Sequence, residues 1–112
     1  MRIVMKFGGS LMEDADQIRN SAELVADRAR KGDEVVVVVS AMSNVTDDLV
    51  SMGESAKHGD MERDRATLEG LEKRHMDAAR KLCDDKTISE TDESTKRLLE
   101  MLNQSLTGVF LL

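Results

Sequence analysis

Two apolar runs near the start of the chain have the character of β-strands. They are RIVMKF at residues 2–7 and EVVVVVS at residues 34–40. The five consecutive valines of the second run do not alternate with polar residues. Such a pattern is typical of a strand that is covered on both faces in a parallel sheet. We therefore expect residues 34–40 to form a central strand.

The segment between these runs has helical periodicity. Apolar side chains recur there at the spacing of one helix face, at Ile18, Ala22, Val25 and Ala29. Gly32 follows at the position where a glycine commonly ends a helix. Strand, helix and strand in this order predict a right-handed βαβ unit and therefore an α/β fold.

The pattern changes after the second strand, where only helices are predicted. Residues 47–57 form a short helical segment that breaks around the sequence HGD. Asp60 is a suitable N-cap for the next helix, which extends to about Asp84. Its apolar stripe consists of Leu68, Leu71, His75, Ala78 and Leu82.

A last helix is expected from the sequence SETD at residues 89–92, which has the spacing of a capping box. Its apolar side consists of Leu98, Leu102, Leu106 and Val109.

We therefore expect residues 1–59 to form a βαβα segment with two ligand loops. Residues 60–112 are expected to form an amphipathic helical hairpin.

Composition narrows the class of protein. The 22 acidic and 16 basic residues among 112 give a net charge of −6, which argues against a nucleic-acid or anionic-membrane partner. No apolar run approaches the roughly 20 residues that a membrane-spanning helix needs. The single cysteine, Cys83, excludes an internal disulfide, and this favours a reducing cytoplasm.

Neither His75 nor Cys83 indicates a reactive or metal site. No second His, Cys or carboxylate cluster accompanies His75, so we interpret it as a residue of the core or its boundary. Cys83 has no identifiable base partner and is interpreted as an inert thiol. We therefore expect no metal site.

The last residues raise the question of completeness. The chain ends on GVFLL, residues 108–112, without a charge or a cap. Two parallel strands also leave both long edges unpaired, whereas parallel sheets normally have more strands and helices on both faces. We expect the chain to be the front part of a larger protein.

The sequence KFGGS, residues 6–10, combines features of a phosphate site. It matches neither a Walker A loop nor a dinucleotide fingerprint. Lys6 at the end of a strand would project at the carboxyl edge of the sheet, where ligands bind in open α/β folds. Gly8 and Gly9 would turn N–H groups toward an anion, beside the Ser10 hydroxyl and a helix beginning near Glu13. The alternative is a tight turn without a ligand.

A second polar loop, SAMSNVTDD, follows the valine strand at the same predicted edge. Ser40 and Thr46 would supply donors for a small polar ligand such as a carboxylate. The alternative is that Ser43 or Asn44 only caps the next helix. Two polar loops at one edge predict a shared crevice.

Together, KFGGS and SAMSNVTDDL resemble the start of an aspartate kinase within the amino-acid-kinase superfamily. The resemblance covers essentially the whole chain, including the charged helical hairpin. It implies the N-terminal portion of a three-layer αβα fold, with a parallel βαβ unit, a helical hairpin and an incomplete sheet. Two positions depart from the pattern: Asn44 replaces a common glycine, and Leu11 replaces a common second hydroxyl. Apart from glycine, Asn is the residue that best tolerates left-handed backbone angles.

The resemblance also implies site residues. Those at the ATP phosphates are Lys6, Phe7, Gly8, Gly9 and Ser10, with Lys6 as the catalytic residue that stabilises charge on the transferring group. Those that contact the aspartate substrate are Ser40 and Thr46. ATP with Mg²⁺ would be required.

The activity implied is phosphorylation of the L-aspartate side chain to 4-phospho-L-aspartate, the first step toward lysine, threonine and methionine. The family continues with an S-x-G-E segment, a nucleotide-binding half and regulatory ACT domains, and residues 1–112 contain none of these. We therefore expect a truncated form that is inactive alone, and a homo-oligomer for the full-length enzyme. Kinases of uridylate, isopentenyl phosphate or acetylglutamate remain alternatives, as does a non-catalytic assembly module.

Overall fold

A computed structural model describes all residues of the chain, from Met1 to Leu112. The elements are β1 (Arg2–Phe7), a 3₁₀ turn (Gly9–Leu11), α1 (Ala15–Arg30), β2 (Glu34–Val39), α2 (Val45–Lys57), α3 (Met61–Leu82) and α4 (Asp85–Leu111). They form two compact units, Met1–Asn44 and Val45–Leu112. The division falls before α2 rather than after residue 59, because α2 packs on α3 and α4. None of the helices combines the length and apolar character needed to cross a membrane.

The first unit is the predicted βαβ unit. The strands β1 and β2 are parallel, in a register that pairs Arg2 with Glu34 and Phe7 with Val39. Helix α1 starts after Asp14, whose carboxylate accepts the Gln17 N–H at 3.0 Å. It ends before Gly32, which has a positive φ of 92°. This arrangement confirms the α/β class and the incomplete parallel sheet.

The two faces of this sheet are covered unequally. Phe7 is only 4% exposed and lines an apolar groove of about 340 Å³ together with Val37, Val39 and side chains of α1. On the opposite face, Val4 is 68% and Val36 is 49% exposed. The expected covering of the valine strand on both faces is therefore not provided by this chain, since β1 is its only neighbour and α1 covers only one side.

A cluster of charged groups lies at the start of the sheet. Asp33 is mostly buried and accepts Arg28 Nη2 at 2.7 Å and the N-terminal ammonium group at 3.3 Å. The Glu34 N–H donates to the Met1 carbonyl at 2.9 Å and begins the ladder. These contacts tie the end of α1 and the chain terminus to the first rung of the sheet.

The second unit consists of three packed helices. Its buried side chains include Met52, Ala56, Leu71, Met76, Ala79 and Leu106. Asp60 caps α3 as predicted, because its carboxylate accepts the Arg63 N–H at 3.2 Å. Gly59 makes the preceding turn with a φ of 84°. His75 is half-buried, with Nδ1 2.7 Å from the Leu71 carbonyl oxygen, in agreement with a position at the core boundary.

The start of the last helix was predicted wrongly. Helix α4 begins at Asp85, and Asp84 caps it by accepting the Thr87 N–H at 2.8 Å. This hydrogen bond also lowers the pKa of the Asp84 carboxyl. The sequence at residues 89–92 lies inside the helix, because no glycine or proline interrupts the chain between Asp84 and residue 92.

The inner face of α4 also differs from the prediction. Leu106 is buried and Leu102 is partly buried, as expected. Leu99 is partly buried as well, whereas Leu98 is 58% exposed. At the N-terminal end of the inward stripe, Leu99 therefore takes the place that was expected for Leu98.

Asp64 is an unusual core residue of the second unit. Its side chain is 1% exposed, and neither carboxylate oxygen has a hydrogen-bond partner. Burial raises the pKa of this carboxyl, the nearby charge of Asp60 raises it further, and Arg63 partly opposes the change. The ionised form is therefore disfavoured in the folded state.

We predict that Asp64→Asn stabilises the second unit at neutral pH, by about 1–3 kcal/mol. A carboxyl with a raised pKa in the folded state loses stability as pH rises from its ordinary pKa to the raised value. In urea unfolding, the wild type and the variant should therefore have the same free energy of unfolding in acid. The variant should become the more stable of the two as the pH rises toward neutral.

Asp77→Asn is the matched control, since Asp77 is more exposed and accepts hydrogen bonds from Lys73 and Arg80. The hydrogen bond from Lys73, above all, lowers the pKa of Asp77. The wild-type chain should lose the stabilisation from these hydrogen bonds as pH falls. This pH dependence has the opposite sign to that expected for Asp64. An Asp64→Asn variant with an unchanged pH profile would contradict the prediction.

Candidate functional site

The segment after β1 forms a tight turn. Leu11 N–H donates to the Gly8 carbonyl at 3.0 Å, and Met12 N–H donates to the Gly9 carbonyl at 3.1 Å. Helix α1 begins only at Ala15, two residues after the predicted start, and the Asp14 carboxylate already occupies its N-terminus. The main-chain donors beside the glycines therefore belong to the 3₁₀ turn and not to α1.

The two glycines leave open space in front of this turn. Gly8 has an ordinary φ of −75°, and neither Gly8 nor Gly9 has a positive φ. A Cβ at either position would meet no atom within 4 Å. The N–H groups of Gly9 and Ser10 have no backbone acceptor, as expected for the first residues of a helical turn. The protein backbone itself thus does not require glycine here, and the turn presents free donors.

Lys6 and Phe7 lie on opposite faces of the sheet, because side chains alternate along a strand. Phe7 is buried in the apolar groove, so only its backbone remains accessible at the turn. Lys6 is exposed on the open face and has no ion-pair partner. Arg2 lies on the same face but is paired with Glu34 at 2.8 Å. Lys6 is therefore the unpaired cation at the end of β1.

The second loop begins beside the first. Ser40 N–H donates to the Phe7 carbonyl at 3.2 Å, which extends the ladder by one rung. Ser43 N–H donates to the Glu13 carbonyl at 3.2 Å. The Ser40 hydroxyl donates to the Ala41 carbonyl at 2.9 Å. The structure thus brings Ser40 next to the strand end that carries Lys6 and the glycines.

The remaining loop residues lie at the boundary of the two units. Asn44 is the last residue of the first unit and has a φ of 65°, the left-handed conformation that the glycine-like position requires. Thr46 is exposed and is the second residue of α2, in the second unit. Thr46 is therefore on a different unit from the other predicted site residues.

The sequence pattern did not single out Ser21. It is 5% exposed, and its hydroxyl donates to the Leu11 carbonyl at 2.9 Å. This bond fastens the 3₁₀ turn to α1 and so holds the glycine segment in place. A polar residue beside the apolar stripe of α1 was the only indication of it in the sequence. No group of three or more His, Cys, Asp or Glu side chains is placed to hold a metal ion.

The parallel βαβ unit and its two adjacent loops agree with a family-level comparison. The model of the amino acid kinase family matches residues 1–110, and the chain belongs to this family. An aspartokinase of Mycolicibacterium smegmatis is 48% identical over 50 residues, which is 45% of this chain and 12% of that protein.

Two further aspartokinases match over similarly limited segments. The protein of Helicobacter pylori strain J99 is 42% identical over 64 residues, 57% of this chain and 16% of the relative. That of Corynebacterium glutamicum is 46% identical over 50 residues, 45% of this chain and 12% of the relative. The matched segments thus span less than a fifth of the length of these relatives.

We predict that the residues tolerated at position 44 are limited by its left-handed backbone conformation. Asn44→Val should destabilise the chain by about 1–2 kcal/mol, because a β-branched residue tolerates a left-handed conformation poorly. Asn44→Gly should cost little or nothing, since glycine adopts this conformation freely. Urea unfolding of the two variants measures the difference. Equal losses for both would show that the Asn44 side chain, rather than its φ, is what matters.

Proposed function

We propose that this chain forms the phosphate- and acceptor-contacting part of an aspartate kinase, which transfers the γ-phosphoryl group of ATP to the side-chain carboxylate of L-aspartate. The observation that carries the proposal is the rung from Ser40 to Phe7, which puts two polar loops side by side at one sheet edge. Family membership supports phosphoryl transfer, and the names of the relatives support aspartate as acceptor.

The chemistry of this transfer fits the residue types at the edge. A carboxylate oxygen forms a bond to the γ-phosphorus, the bond to the β–γ bridging oxygen breaks, and the products are an acyl phosphate and ADP. The aspartate side chain is already ionised at neutral pH, so the reaction needs no general base. Catalysis then depends on aligning two anions and neutralising the charge between them.

The first loop has the features that a nucleotide phosphate needs. Lys6 offers an unpaired positive charge, and the N–H groups of Gly9 and Ser10 are free to donate. The absence of side-chain atoms at Gly8 and Gly9 leaves room for close approach of an anion. ATP therefore fits the residues present, and Mg²⁺ bound to its phosphates would supply further charge neutralisation.

The second loop is the proposed acceptor side. Ser40 would donate a hydrogen bond to a carboxylate of aspartate. Thr46, at the start of α2 in the second unit, is proposed as a substrate contact from the family resemblance alone. Asn44, the last residue before α2, has the left-handed conformation expected at this position of the loop.

Binding of separate ligands to the 112-residue chain tests this function. In NMR titrations with ¹⁵N-labelled protein, Mg·ATP should shift the amide signals of residues 8–10, and L-aspartate should shift those of residues 40–46. Uridylate, isopentenyl phosphate and N-acetylglutamate should leave residues 40–46 unchanged. A response to one of these acceptors in place of aspartate would change the assignment within the family. No response to any nucleotide would favour a non-catalytic assembly module.

We predict that Lys6→Met weakens binding of Mg·ATP about tenfold to a hundredfold, the effect expected for loss of a charge-assisted hydrogen bond. Isothermal titration calorimetry measures the affinity. Arg2→Met is the matched control, because it removes a cation from the same face of the same strand. If both variants bind Mg·ATP equally well, Lys6 does not contact the phosphates.

A further inference from the structure

The segment that contains the 3₁₀ turn is hydrogen-bonded to the second loop at both of its ends. Before the turn, the Phe7 carbonyl accepts the Ser40 N–H at 3.2 Å. After the turn, the Glu13 carbonyl accepts the Ser43 N–H, also at 3.2 Å. These two contacts fix where the segment begins and ends, but they do not fix the position of the turn between them.

Side-chain packing does not hold the turn itself. Gly9 and Ser10 are exposed, and Leu11 is 44% exposed. The nearest side chains that line the apolar groove are Phe7 before the turn and Met12 after it. The two hydrogen bonds within the turn set its shape but do not connect it to another element. The position of the turn relative to α1 therefore depends on a contact from outside the turn.

Ser21 of α1 supplies this contact. Its hydroxyl donates to the Leu11 carbonyl at 2.9 Å, and no backbone N–H donates to that carbonyl. Ser21 is one of only two buried residues of α1, the other being Ala15, and it lines the apolar groove. Burial of a hydroxyl is unfavourable unless a hydrogen bond replaces its bonds to water. The bond to the turn thus accounts for a serine at this position.

We propose that Ser21 is a positioning residue for phosphate binding. Through the Leu11 carbonyl, it keeps the N–H groups of Gly9 and Ser10 in place for the nucleotide phosphates. Donors that are already ordered bind an anion more tightly than mobile ones, because binding does not have to order them. Ser21 does not itself contact the ligand. The proposal rests on the proposed function, which assigns these N–H groups to the phosphate site.

Ser21→Ala tests the role of this hydrogen bond. The substitution removes one buried oxygen atom and raises helix propensity, so α1 should remain folded. In isothermal titration calorimetry with the 112-residue chain, it should weaken binding of Mg·ATP about threefold to tenfold, the effect of one lost hydrogen bond. Ser21→Thr keeps the hydroxyl and should restore most of the affinity.

Ser105→Ala is the matched control. Ser105 also lies in a helix and donates its hydroxyl to a carbonyl, that of Met101 at 3.1 Å, but it belongs to the second unit. This variant should bind Mg·ATP as tightly as the wild type does.

Amide signals of the ligand-free, ¹⁵N-labelled chain distinguish positioning of the turn from a general loss of stability. Ser21→Ala should shift the signals of Gly9 and Ser10 and speed hydrogen exchange at the Leu11 amide. The signals of β1 and β2 should stay in place, which shows that the sheet is intact.

Three results would contradict the proposal in different ways. An unchanged affinity for Mg·ATP in folded Ser21→Ala, even with a lower stability in urea, would show a purely structural role and overturn it. A folded Ser21→Thr that binds as weakly as Ser21→Ala would overturn it as well, because the hydroxyl would then not matter. Absence of Mg·ATP binding by the wild-type chain would instead overturn the proposed function, and this proposal with it.

Discussion

The parallel ladder between β1 and β2 is the constraint on which the first unit depends. Parallel strands require a crossover, so α1 has to return from the end of β1 to the start of β2. Both strands consequently end at the same edge. The last rung, from Ser40 N–H to the Phe7 carbonyl at 3.2 Å, then fixes the second polar loop beside the first. The candidate site is a direct consequence of strand direction.

The alternation of side chains along β1 places Phe7 and Lys6 on opposite faces of the sheet at that edge. Phe7 enters the apolar groove and anchors the strand to α1, while Lys6 on the opposite face keeps its charge available. The carboxyl groups with shifted pKa values, Asp64, Asp77 and Asp84, all belong to the second unit. Burial raises the pKa of Asp64, the hydrogen bond from Lys73 lowers the pKa of Asp77, and the capping hydrogen bond from Thr87 N–H lowers the pKa of Asp84.

The helix starts show why local patterns predict only part of a fold. Asp60 is predicted as a cap because it is the last residue of the HGD sequence at which α2 breaks off. Asp84 was missed in favour of residues 89–92, although both segments offer suitable capping side chains. The choice between them depends on where α3 ends, at Leu82, and that is decided by packing among the three helices. Asp64 was missed for a related reason, because an acidic residue in the first turn of a helix normally remains in water.

The sequence by itself determined the strands, the crossover helix, its glycine stop and the polar loops, because these follow from β-branched runs, helical spacing and turn chemistry. It also indicated Asn44 as the residue able to adopt a left-handed conformation. Only the tertiary structure decided that Phe7 is buried while Lys6 is unpaired, and that Ser21 fastens the glycine turn. It alone showed that α1 covers only one face of the valine strand, because cover depends on which other segments pack there.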